Sequence, residues 1–149
     1  MTADPIPDSG PPSPEFDLPP QASPALLAAW DELADRVCRE LARAGLPARR
    51  GDREGGPLAG PGADVHVDRV GDGSGGVYVD WATHDDLRGA VVELLSRGVD
   101  FTDPPPLVRH HATVHAHMRD ALLGILGSAG FEVEGTDPHT FGCALRVTG

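Results

Sequence analysis

The chain has 149 residues, enough for one domain that buries its own core without help from a disulfide or a metal. Hydrophobic residues make up 40% and charged residues 23%, which excludes a wholly disordered chain. The net charge is −11, from 12 basic against 23 acidic residues. That balance argues against nucleic acid and anionic membranes as partners, because both need a basic surface.

Residues 1–23 contain seven prolines and almost no large apolar side chain, so a disordered proline-rich tail is expected there. The tail lacks the basic start and apolar run of a signal peptide. No stretch of the chain approaches the ~20 apolar residues of a membrane span. Cys38 and Cys143 sit in no C-x-x-C pair and read as small buried residues of a reducing compartment. The expected location is the cytoplasm.

Ser23-Pro24 is a helix start, a capping hydroxyl followed by proline in the first turn. Leu26, Trp30, Leu33, Val37, Leu41 and Ala44 then recur every three or four residues, an amphipathic stripe that Gly45 ends. "LPARR" is a short edge strand, and residues 51–62 are a loop rich in Gly and Pro. "ADVHVDRV" (63–70) and "GVYVDWAT" (76–83) alternate around "GDGSG", which predicts a hairpin. Matching apolar residues across it pairs Val67 with Val79 and Val65 with Trp81 and sets His66 opposite Asp80. Thr83 is the expected cap of a second helix with Leu87, Val91, Leu94 and Leu95 on its apolar side. A rigid "VDFTDPPP" connector leads to a third helix, Leu107 to Ser128. "FEVEG" (131–135) and "TFGCALRVT" (140–148) predict a closing hairpin in which Arg146 meets Glu132 or Glu134.

The predicted fold is α+β: an antiparallel sheet of about five strands packed on three helices, in the order α-β-β-β-α-α-β-β. A single domain is expected over 24–149. Residues 24–83 and 106–149 each read as a long helix followed by a hairpin, which would suit a pseudo-repeat. Helix, three strands and helix over 24–98 is an order that resembles the double-stranded RNA-binding domain. That family starts its second helix with basic residues, whereas this one begins "THDDLRG", so RNA binding does not carry over. The same order and acidity are similar to small secretion-chaperone-like proteins. That resemblance implies surfaces offered to client segments and a homodimer. It rests on order and charge alone, without a motif, and assigns no family.

Two constellations could carry chemistry. Asp64, His66 and Asp68 share one face of a strand, with Asp80 and Tyr78 beside them, a candidate set for a divalent cation. The third helix carries His110, His111, His115 and His117. At about 100° per residue, His111 and His115 fall along the apolar stripe, while His110 and His117 fall on its other flank. His111 and His115 have metal-ligand spacing, but the sequence "HATVH" lacks the Glu of H-E-x-x-H. A third ligand would have to come from Asp137 or His139, and nothing outside the helix is expected to complete a site. "GDGSGG" lacks the Lys of a phosphate loop, and no G-x-S-x-G occurs. No catalytic residue and no cofactor are therefore assigned. The expected function is that of a small acidic binding protein, an adaptor or chaperone-like module acting through protein contacts. The alternative is a metal-binding protein or metal-dependent enzyme using Asp64, His66, Asp68 and Asp80 or the histidine helix.

Overall fold

A computed structural model describes residues 19–51, 60–136 and 144–149. The elements run α1 (Pro24–Arg43), β1 (Ala48–Arg50), β2 (Gly62–Asp68), β3 (Gly76–Ala82), α2 (Asp85–Ser96), α3 (Pro106–Ser128), β4 (Val133–Gly135) and β5 (Leu145–Val147). This is the predicted α+β order. The five strands form one sheet in the order β1-β2-β3-β5-β4. Most of the 1–23 tail, most of the 51–62 loop, and Asp137, His139 and Cys143 lie outside the described residues.

Alternation builds the core. Ala63, Val65 and Val67 on β2 and Val77 and Val79 on β3 point to one side and are buried. Leu145 and Val147 continue that side on β5. α1 covers it with Ala34, Val37 and Leu41, and α3 with Leu122 and Leu126. The two helices touch each other, so they lie on the same face of the sheet. Ser23 caps α1 as predicted, its Oγ accepting from the Leu26 N–H at 3.2 Å. The ends of the predicted α1 stripe, Leu26 and Ala44, fall outside the core, while Ala34 lies inside it. In α3 the fully buried residues are confined to the C-terminal half, and Leu126 joins Leu122 there. None of the described helices is long and apolar enough to cross a membrane.

Two sheet expectations need correction. The hairpin register is shifted by two residues: Val65 pairs with Val79, Val67 with Val77 and Ala63 with Trp81. His66 therefore stands opposite Tyr78, and Asp64 opposite Asp80. A shift of two keeps every side chain on its predicted face, so burial alone does not fix it. Just past β2, Arg69 meets Asp31 on α1 at 3.3 Å. Its carbonyl accepts from the Ala22 N–H at 2.9 Å, so β2 stops at Asp68. The sheet is also mixed, because β1 runs parallel to β2. At the end of β1 the chain passes so close to β2 that a Cβ on Gly51 would collide with the Asp64 carboxylate.

β1 is fastened to α1 by charge. Arg50 is only 4% exposed, and its guanidinium donates to Asp31 Oδ1 at 2.8 Å and Asp35 Oδ1 at 2.7 Å. Residues 31 and 35 are one helical turn apart, so both carboxylates reach the same group. Replacing both with alanine should cost about 3–5 kcal/mol, because the buried cation loses its carboxylates. Arg50→Met should cost clearly less, since it removes the charge along with the need to pair it. Urea denaturation of both variants checks this, and equal losses would contradict it.

Candidate functional site

The structure re-sorts the predicted site residues. β2 rises about 3.4 Å per residue, so Asp64 and Asp68 sit at opposite ends of the strand even though they share a face. His66 and Asp68 border a broad groove beside Pro19, Gln21 and Val70. There the His66 ring lies 5.8 Å from the Tyr78 ring, nearly parallel to it. Tyr78 is only 3% exposed, and its hydroxyl donates to the Ser74 carbonyl in the hairpin turn. Arg146 clasps the same turn, donating to the Gly75 carbonyl at 2.8 Å, and it pairs in register with Glu134. These contacts account for His66, Tyr78 and Arg146 as parts of the hairpin's polar face.

Asp64 and Asp80 instead fall in the same lining as His111 and His115. The four residues line one cleft of about 290 Å³ at the end of β3. α3 buries only Leu122 and Leu126 fully, both in its C-terminal half, and its N-terminal half brings His111 to Thr83 just after β3. Helical geometry separates the histidines as expected: His111 and His115 are half-buried, and His110 and His117 are exposed. The His111 and His115 rings stand 4.5 Å apart at a tilt of 46°.

Three further residues complete the cleft: Trp81, Thr83 and Arg88. Thr83 was expected to cap α2, but His84 does so, its Nδ1 accepting from the Asp86 N–H at 3.1 Å. Thr83 is 4% exposed and turns the other way, its Oγ1 sharing a hydrogen bond of 3.2 Å with His111 Nε2. This contact ties α3 to the junction of β3 and α2, a long-range pairing with no trace in local spacing. Arg88 comes from the first turn of α2 and pairs with Asp85 at the rim. Asp80 is oriented by its own backbone, its Oδ1 accepting from the Trp81 N–H at 2.8 Å.

The surroundings of His111 disfavour its charged form. Burial is the largest cause that holds its pKa below the ordinary histidine value, and neighbouring His115, Arg88 and His110 add repulsion. A hydroxyl beside an imidazole resembles a nucleophile and its base. Among the described residues, however, no carboxylate hydrogen-bonds the His111 ring to orient it, so the pair reads as a structural latch. Also among the described residues, no three His, Cys, Asp or Glu side chains gather closely enough to hold a metal ion. No protein-family model, curated protein or solved structure matches the chain.

The lowered pKa carries a sign for stability. The unfolded chain binds the His111 proton more readily than the folded one. The stability tied to neutral His111 is complete above the unfolded value of about 6.5. It is lost as pH falls from there towards the lower folded value. His111→Gln should therefore flatten the fall in melting temperature between neutral pH and pH 5, relative to wild type. Identical slopes for the two proteins in thermal scans would contradict this reading.

Proposed function

We propose that the protein is a small acidic binding module, adaptor or chaperone-like, that acts through protein contacts made by the arm of α2 and the N-terminal half of α3. The observation that carries this reading is the state of α2. Its one substantial element contact among the described residues is with α3, and only Val91 on it is fully buried. Val92 and Leu95 stand 59% and 41% exposed, and Phe101, in the turn after α2, stands 78% exposed. Single exposed apolar residues are ordinary on any surface, but three on one projecting arm are the composition of a contact face.

Charge favours the same surface. Residues 85–120 carry six acids and four arginines, so the arm holds little of the net charge of −11. Self-repulsion of an acidic chain is weakest where its charge is most nearly balanced. The occupant we assign is therefore a second copy of this chain, arm against arm about a two-fold axis. A paired arm would leave the polar sheet face open to a client protein.

Light scattering of the purified chain tests this. Wild type is expected to be a dimer. Val92→Asp combined with Phe101→Asp is expected to give a monomer with an unchanged circular dichroism spectrum, because both positions are solvent-facing. A monomeric wild type, or a variant that stays dimeric, would overturn the assignment.

A further inference from the structure

We infer that the seam between α3 and the end of β3 is an acid-operated latch: a proton taken up by His111 frees the arm, α2 with the N-terminal half of α3, while the core stays folded. The inference goes beyond the arm's protein contact and does not depend on it. It stands on what surrounds the His111 ring. The ring is half-buried, and its Nε2 shares the 3.2 Å hydrogen bond with Oγ1 of Thr83, itself only 4% exposed. Among the described residues the His111 and His115 rings have no third ligand beside them, so proton uptake is the chemistry left to them.

The hydrogen bond itself tolerates a proton, because an imidazolium donates to a hydroxyl as a neutral ring can. The charge is what has no place there. α3 brings His115, its ring 4.5 Å away, and His110. α2 brings Arg88. Each of these is a cation or becomes one in acid, and their repulsion adds to the cost of burying the charge. No carboxylate among the described residues hydrogen-bonds the ring to offset them. Asp85 pairs with Arg88 and has a side chain 69% exposed. His84 faces Asp86, whose side chain is 95% exposed. On the sheet, alternation sets Asp64 and Asp80 on the face opposite Trp81. There Asp64 lies against Gly51, and Asp80 accepts from the Trp81 N–H.

The effect is local to the arm. Leu122 and Leu126, the fully buried residues of α3, lie further along the helix and belong to the core. Among the described residues α2 has its one substantial element contact with α3, so it leaves with that half of the helix. Release uncovers Val91, the one fully buried residue of α2. The direction follows from linkage. In the open arm His111 takes up its proton at the ordinary histidine value of about 6.5. In the closed arm it does so only at lower pH. Opening therefore becomes easier as pH falls below the ordinary value.

Native-state hydrogen exchange of the full chain at pH 7 and pH 5, with intrinsic exchange rates divided out, tests the inference. A concentration at which the chain is monomeric keeps the result separate from the arm's contact with a second copy. Between the two pH values the amides of α2 and of residues 107–118 should lose protection by about threefold or more relative to those around Leu122 and Leu126. His111→Gln keeps a hydrogen-bonding side chain but takes up no proton, so its arm should lose little. His115→Glu sets a carboxylate one helical turn from His111. The ring protons of His111 should then titrate at higher pH than in wild type, and the arm should stay protected at pH 5. The inference is overturned if arm and core lose protection together, or if the wild-type arm is as protected at pH 5 as at pH 7. It is equally overturned if the arm of either variant loosens in acid as much as that of wild type.

Discussion

The dry face of the sheet must be covered, and α1 and α3 cover it from the same side. Ala63, Val65, Val67, Val77 and Val79 present a strip of small and β-branched side chains that water would otherwise reach. α1 spends its middle on that strip, but α3 spends only its second half. At about 1.5 Å per residue the 23 residues of α3 span roughly 34 Å, more than the core uses. The overhang is where the polar chemistry of the chain collects. It carries His111 and His115 past the sheet, gives α2 something to pack on, and encloses the cleft against Asp64 and Asp80.

Much of this was legible in the sequence because it depends on periodicity. The order of elements, the Ser23 cap, the hydrophobic face of the hairpin and the separation of His111 and His115 from His110 and His117 all follow from spacings of two and 3.6. What periodicity leaves open is translation along an element. The β2–β3 register slid by two without changing a single face, so the alternation pattern fits either register. No local pattern announces the parallel pairing of β1, nor the reach of Arg50 to two carboxylates on α1.

The site was half legible for the same reason. Asp64, Asp80, His111 and His115 were each visible as chemistry-bearing residues, but as two separate groups. Only the crossing of α3 over the strand end joins them, and that crossing is set by where Leu122 and Leu126 find the core. Thr83 and Arg88 were hidden behind ordinary roles, a helix cap and a first-turn charge. Conversely, His66 and Asp68 belonged to the predicted set by alternation and were removed from the cleft by the length of the strand.

The arm and the cleft are therefore two consequences of one overhang, and the latch between Thr83 and His111 is where they meet. Such an arm should open without unfolding the core, because few buried contacts hold it. Native-state hydrogen exchange at a concentration where the chain is monomeric tests that most directly. The amides of α2 and of residues 107–118 should exchange through an opening of lower free energy than those around Leu122 and Leu126 and in β2 and β3. Equal protection across α2, the whole of α3 and the central strands would contradict it, showing that the arm is an integral part of the core.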